Sequence, residues 1–377
     1  MRTTLLIFFT AFLATGCGKD VTLGDLGLPN SGGSNPATPD SVTASCGADR
    51  MMHWQFVQPQ PTTDRSVDLL FVVDTSSSLG QERAKIAEMT ASFVNALHPA
   101  TDYRIGVMLA HGGASSYSGR LYAGPGQPKV LNSQNHSASY IQSSLKTILS
   151  TPVADTDEAD GEMMFYSFHK SLSSSSRLAE ARALGFFRTG VALSVIFISD
   201  ENDVCFRPEL NGFTLFPDYV PSQRNVEVTA FGKYCSQITI DSVLAEARRI
   251  QKEMPLSFAA VAHIDRSKVV RTSEDAIGHG LIELVKKSLN GVLLDISDQD
   301  YSAGLAQLGN IVRTSLELQT VFKLTKAPQL VPGSLQVRVD GKTVAANYES
   351  TATTVHLSAA EAGSAGSLVN VSACRAN

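Results

Sequence analysis

Positive charge is not in excess over this chain: 31 Lys and Arg stand against 36 Asp and Glu, for a formal charge of −5. A protein that grips a phosphate backbone without regard to sequence needs a basic stripe. The most basic cluster, Arg248-Arg249, sits inside an otherwise mixed helical pattern. Nucleic acid is therefore excluded as a partner. Cysteine is scarce as well, five in 377 residues, with no CxxC pair and no histidine at ligand spacing beside any of them. That excludes a structural zinc site. There is no HExxH, no serine-hydrolase elbow and no glycine-rich loop running through Lys-Ser/Thr into a helix. His111, His169 and His263 fall inside strand or helix patterns and read as packed rather than catalytic. What is abundant is core material: 43% of residues are apolar and 18% charged, in a chain long enough for more than one domain.

The N-terminus, "MRTTLLIFFTAFLATGC", has a positive Arg2, an apolar run from Leu5 to Leu13 and then small residues. The run is too short to span a membrane and reads as an export signal over residues 1–16. Its end, "LATGC", resembles the lipobox of bacterial lipoproteins, with Ala14 where leucine is commonest. The resemblance implies lipidation of Cys17 and anchoring in a membrane by acyl chains, each buried methylene contributing about 0.8 kcal/mol. Gly18 in place of aspartate after Cys17 points to the outer membrane in a two-membrane host. Residues 18–45, rich in Gly, Ser, Pro, Asp and Asn, read as a flexible tether beyond the lipidated Cys17. Residues 46–63 form a short N-terminal segment ahead of the first domain.

Without Cys17, an even four cysteines remain in an exported chain, and three pairings are possible. The favoured set is Cys205–Cys235 and Cys46–Cys374. The first closes a loop of roughly 30 residues, worth ~3 kcal/mol in the chain-entropy model. The second joins the start of the folded region to its end.

From residue 64 to 317, short apolar runs alternate with helical periods. "VDLLFVVD" (67–74), "YRIGVMLAH" (103–111), "VALSVIFISD" (191–200), "LSFAAVAHI" (256–264) and "GVLLDIS" (291–297) have the continuous apolar character of strands covered on both faces. Between them, residues 79–97 put Ile86, Met89, Phe93 and Leu97 on one stripe, and 242–254 and 305–318 behave alike. The pattern predicts an α/β domain, a doubly wound, mostly parallel sheet. Residues 115–130, "SSYSGRLYAGPGQPKV", read as a hairpin about a Pro-Gly turn. In residues 320–377 the texture becomes that of a small C-terminal antiparallel β appendage, with a type I′ hairpin at Asp340-Gly341 and further strands in "TTVHLS" and "SLVNVSAC".

The first of these strands ends in "DTSSS". An aspartic protease would need a second such motif and a glycine at position 76, and has neither. A helix cap is the plain alternative: Ser78 with Gln81 three residues on makes a capping box, but leaves Asp74 unexplained. An aspartate at the carboxyl end of a parallel strand lies where open α/β folds bind ligands.

Asp74, Ser76 and Ser78, as D-x-S-x-S after the first strand, resemble the metal-ion-dependent adhesion site of von Willebrand factor type A domains. The family's second element, an aspartate closing a later central strand, is matched by Asp200 in "VIFISDENDVC". Its third, a threonine before a middle helix, is matched by Thr156 in "TPVADTDEADGEMMFYSF", with Thr151 as fallback and no glycine before Thr156. That helix is expected to contain Glu162, Phe165 and Phe168. The resemblance covers residues 64–317. It implies a hard divalent cation, Mg²⁺ or else Mn²⁺ or Ca²⁺, as an all-oxygen ligand set also selects. It further implies a protein or surface ligand whose carboxylate completes the coordination, and a binding protein rather than an enzyme. Two other readings stand beside it: a structural envelope component with a vestigial metal site, and a hydrolase using Asp74, although the haloacid dehalogenase pattern wants aspartate where Ser76 stands. The long segment 200–235 should border the metal face, where Glu201 and Asp203 are candidates for a second cation or are simply solvated.

Overall fold

The computed structural model describes residues 50–58, 66–97, 101–155, 161–219, 225–251, 254–269, 276–288, 291–298, 300–325, 329–351, 353–364 and 366–376. Cys17, Cys46 and Thr156 lie outside the described residues.

Among the described residues the first strand is one for which the sequence offers no clear signal, β1 (Met51–Val57). The continuous apolar runs then form β2 (Ser66–Val73), β3 (Asp102–Leu109), β6 (Ala192–Ile198), β7 (Leu256–Ala262) and β8 (Val292–Asp295). Two short strands, β4 (Leu121–Tyr122) and β5 (Val130–Asn132), fall between β3 and β6. The sheet order is β4-β3-β2-β6-β7-β8, with β5 also on β3. Pairings among β2, β3, β6, β7 and β8 are parallel, while β4 and β5 run antiparallel to β3.

The hairpin expected at 115–130 is not formed. The Pro125-Gly126 turn is there, closed by Gln127 N donating to Gly124 O at 3.0 Å with Gly126 at positive φ. Its two flanking strands pair with β3 rather than with each other, because the exposed edge of β3 offers a longer ladder than two strands of two and three residues.

Strand alternation splits the core into two layers. Leu70 and Val72 face helices Met164–Ser173, Ile240–Gln251 and His279–Lys287. Leu69, Phe71 and Val73 face helices Gly80–Ala96, Ala138–Ser150 and Ser302–Glu317. On the first of these, Ile86 and Phe93 are buried as the periodicity requires, and Leu97 just beyond its end is buried too. Covering both faces explains why the strands lack polar alternation.

The C-terminal β unit holds β9 (Val321–Lys323), β10 (Gln336–Val339), β11 (Lys342–Val344), β12 (Ala346–Glu349), β13 (Thr354–Leu357) and β14 (Leu368–Cys374). Asp340 and Gly341 both take positive φ, 48° and 83°, as a type I′ hairpin requires. Two sheets, β1-β14-β10-β11 and β12-β13-β9, share one core built on Phe322, Val337, Val355, Leu357, Val369 and Val371. The unit is not made from the chain's end alone. β1 pairs along its whole length with β14, from Met51 opposite Cys374 to Val57 opposite Leu368. The amide of Gln58, buried, ties this corner down by donating to Gln319 O and Ala362 O and accepting from Gln319 N.

Cys205 and Cys235 form a disulfide. Cys374 is disulfide-bonded too, and Cys46, its expected partner, lies outside the described residues. Among the described residues no helix is long and apolar enough to cross a membrane.

Candidate metal centre

The chain enters the sheet at β2, winds outward through β3, then crosses back to β6 on the other side of β2. The carboxyl ends of β2 and β6 are therefore the topological switch point, where the loops diverge and leave a crevice. Asp74 follows β2 directly and Asp200 lies two residues past β6. Asp74 N donates to Ile198 O at 3.0 Å, which holds the two strand ends side by side.

Both carboxylates are almost wholly buried. Asp74 Oδ1 accepts from Ser76 N at 2.7 Å, an Asx-type turn that bends the chain away from the strand. Asp74 Oδ2 accepts from Ser199 Oγ at 2.7 Å. Burial raises the Asp74 carboxyl above its ordinary range, against the lowering effect of the Ser199 and Ser76 hydrogen bonds and the Arg83 charge. Arg83 braces the loop from the first turn of helix Gly80–Ala96, its Nη1 donating to Asp74 O at 3.1 Å and Ser76 O at 2.8 Å. Its charge acts on Asp74 and Asp200 together.

The capping box does not form. The N-cap position falls on Leu79, with no side-chain cap. Ser78 Oγ instead stands 2.9 Å from Ser76 Oγ. Adjacent oxygens in an octahedral Mg²⁺ shell, at 2.0–2.1 Å from the ion, lie about 3 Å apart. Ser76 and Ser78 thus hold their hydroxyls at the spacing such a shell uses. Together with Asp74 and Asp200 they make a donor set of hard oxygens, which fits Mg²⁺, Mn²⁺ or Ca²⁺. Among the described residues no group of three or more His, Cys, Asp or Glu is arranged to hold a metal ion, so an ion here depends on the mixed carboxylate–hydroxyl set.

Asp155 and Gly161, either side of residues 156–160, meet the loops after β3 and β2. Asp155 Oδ2 accepts from Gly112 N, in the loop after β3, at 2.7 Å. Gly161 O accepts from Thr75 N at 3.2 Å. Gly161 has φ +97°, and a Cβ there would meet Thr75 Oγ1 at 2.0 Å, so glycine is required by both backbone and contact. Thr151 sits elsewhere: it ends helix Ala138–Ser150, exposed, with its hydroxyl donating to Thr147 O at 2.8 Å.

Three further carboxylates, none of them in the predicted ligand set, surround the crevice. Glu162 precedes helix Met164–Ser173 rather than lying in it, and is fully buried. Burial first, then the charges of Glu201, Asp74, Glu227 and Asp200, hold its carboxyl well above the usual range. Glu201 is pushed up to about 9 by burial and by the charges of Asp74, Asp200 and Glu227. Glu227 comes from helix Asn225–Tyr234 of the disulfide-closed segment. Carboxylates this crowded favour either protons or a bound cation. The sequence placed Glu201 at the metal face, but charge spacing gave no hint that Glu162, about 40 positions earlier, would join it. Asp203 is neither solvated nor gathered with them: its two oxygens accept from Phe165 N and Cys205 N, each at 2.8 Å.

His111 and His263, which follow β3 and β7, are both occupied. His111 lies between Ser115 Oγ at 2.7 Å and Val153 O at 2.9 Å, and His263 is 2.9 Å from Ser297 Oγ.

No protein-family model and no curated protein matches the chain. Among solved structures, a von Willebrand factor type A protein from Catenulispora acidiphila is similar over 88% of this chain and 62% of its own, with 11% identity and a TM-score of 0.38. The pilus adhesin SpaC from Lactobacillus rhamnosus GG, in an open conformation, aligns over 86% of this chain and 40% of its own, with 14% identity and a TM-score of 0.37. Proximal thread matrix protein 1 from the mussel byssus aligns over 70% and 48%, with 10% identity and a TM-score of 0.34. The chain thus spans less than two thirds of the length of each. With TM-scores below 0.5, it is the strand order and the placement of the switch point that carry the fold. That fold is a doubly wound, mostly parallel α/β sheet with a small antiparallel β unit.

Proposed function

We propose that the chain is an exported, lipid-anchored envelope protein that binds a protein or surface ligand through a divalent cation. Asp74, Ser76, Ser78 and Asp200 would hold the ion, with Thr156 as the third-loop ligand. The observation that carries this reading is the pair of strand-end aspartates at the switch point with two hydroxyls 2.9 Å apart beside them. The ion, when bound, supplies a positive charge with open coordination to oxygen. Asp74 and Asp200 carry charge towards it, the serines add neutral donors, and the N-terminus of helix Gly80–Ala96 adds favourable positive potential for an incoming anion. Ser199 and Arg83 hold the loop in place. An incoming carboxylate from the partner fits the remaining coordination, so the ion acts in recognition and no residue is assigned a catalytic role. Cys17, the tether 18–45 and Gly18 support an anchor in the outer membrane.

The test is calorimetric titration of Mg²⁺ and Mn²⁺ into the protein, beside Asp74→Ala and Asp200→Ala, with thermal melts to check folding. Saturable one-site binding that both substitutions abolish is expected. A folded wild-type protein that binds neither ion would overturn the reading and leave "DTSSS" a strand-to-helix connection.

A further inference from the structure

Helix Ile240–Gln251 buries Leu244, Ala247 and Gln251, spaced i, i+3 and i+7. Such a stripe calls for an apolar side chain at its end, yet a glutamine stands there, 3% exposed. Thr320, just ahead of β9, is 2% exposed and fixed in the β unit, where its carbonyl accepts from Leu357 N at 2.8 Å. Gln251 from the α/β domain and Thr320 from the β unit line one cavity of about 30 Å³.

Gln251 Oε1, Gln251 Nε2 and Thr320 Oγ1 have no hydrogen-bond partner among the described residues. A buried polar atom without a partner carries its full desolvation penalty, so three at one cavity point to something that meets them. The apolar walls, Phe258 and Leu357, cannot. Two direct polar contacts between the domain and the unit beside the cavity are long. Asn347 Nδ2 donates to Lys287 O at 3.4 Å, and Arg248 Nε stands 3.7 Å from Glu349 Oε2.

Size and chemistry together select the occupant. One water needs roughly 10–15 Å³ on this measure, so the cavity takes about two. Gln251 offers an acceptor and a two-proton donor, and Thr320 a hydroxyl that does both. An anion would meet only the donors and a cation only the acceptors, while the charges of Arg248 and Glu349 offset each other. A neutral molecule of water's size that donates and accepts meets all three atoms.

We propose that this cavity is a built hydration site, in which about two waters bridge the Gln251 amide to the Thr320 hydroxyl and join the β unit to the α/β domain. The bridge needs no ion at the carboxyl ends of β2 and β6. It depends on both side chains at once, because losing either leaves hydrogen bonds of the waters unmade.

Two measurements on the full chain test it. In nuclear magnetic resonance spectra with ¹⁵N-labelled glutamine, the Gln251 Nε2 protons, assigned by their loss in Gln251→Met, should show cross-peaks to water of the sign that marks long-resident molecules. Absence of those cross-peaks in the wild type overturns the site. The second measurement is a melting cycle with Gln251→Met and Thr320→Val, which remove the polar atoms and nearly keep the shape. Each alone should lower the melting temperature by about 2–4 °C, and the double variant, with nothing left to hydrate, should recover most of the loss. Single variants that each raise the melting temperature would show side chains buried without water. Single losses that simply add in the double variant would show packing alone. Either result overturns the bridge, and if a variant does not fold the wild-type cross-peaks still decide.

Discussion

Ser199 Oγ donates to Asp74 Oδ2 at 2.7 Å, across 125 positions of sequence. The bond crosses from the end of one central strand to the end of its neighbour and sets the carboxylate's rotation. The same hydroxyl lies 3.1 Å from Glu201 O, so one serine positions both sides of the crevice.

Ser199→Ala should keep the fold, at a cost of about 1–3 kcal/mol for a buried carboxylate that loses a donor. Metal affinity should fall by roughly 10–100-fold, the usual effect of removing a group that orients a ligand. Calorimetry with Mn²⁺ decides it. Unchanged affinity in this variant, with Asp74→Ala inactive, would show that Asp74 needs no help from Ser199.

Asp203 is a buried strut between the Asp200 loop and helix Met164–Ser173, accepting from one backbone N–H of each. Burial, partly offset by these bonds and by Arg207, pushes its carboxyl up to about 7. The sign follows directly. Between its ordinary value near 4 and about 7 the folded state holds a proton that the unfolded chain has released, so this group's contribution to stability falls as pH rises through that window. Asp203→Asn removes the titration while keeping one acceptor. Its melting temperature should therefore depend less on pH than the wild type's between 4 and 7. Parallel curves would exclude Asp203 as the source. Asp203→Ala, which loses both bonds, should cost about 2–4 kcal/mol below pH 4 and progressively less as pH rises towards 7.

His356 on β13 faces helix Ile240–Gln251 of the α/β domain. Burial, then the Arg248 charge, lowers its imidazole to about 4. Glu349 Oε2 lies 3.7 Å from the ring and equally 3.7 Å from Arg248, so its charge is shared, and Thr354 Oγ1 stands 2.9 Å from Nε2. The neutral form is the one that packs. Stability from this group is complete above the unfolded value near 6.5 and is lost as pH falls towards 4, by up to about 3 kcal/mol. His356→Gln should flatten acid denaturation across that interval, followed by circular dichroism. An unchanged acid limb would assign the loss to other groups.

Period and turn chemistry made much of this fold legible. Five apolar runs became five parallel strands because burial on both faces removes polar alternation, and that pattern is local. Asp340-Gly341 announced its hairpin for a similar reason, a backbone demand met by two adjacent residues. Other readings failed where local and tertiary preferences competed. The capping box at Ser78 and Gln81 is sound chemistry, yet Ser78 turns its hydroxyl to Ser76, and the helix starts without a side-chain cap. Residues 115–130 had the turn of a hairpin, but the open edge of β3 outbid the two short strands for each other.

The sequence by itself determined the α/β pattern, the positions of Asp74 and Asp200 at strand ends and the oxygen character of the donors, because each depends on residue type and short spacing. Only the tertiary structure decided which segments meet. It set β1 against β14, some 300 residues away, placed Ser199 under Asp74, and buried Glu227 on its own helix. Such contacts are fixed by the strand order of the sheet, which no local run of residues encodes.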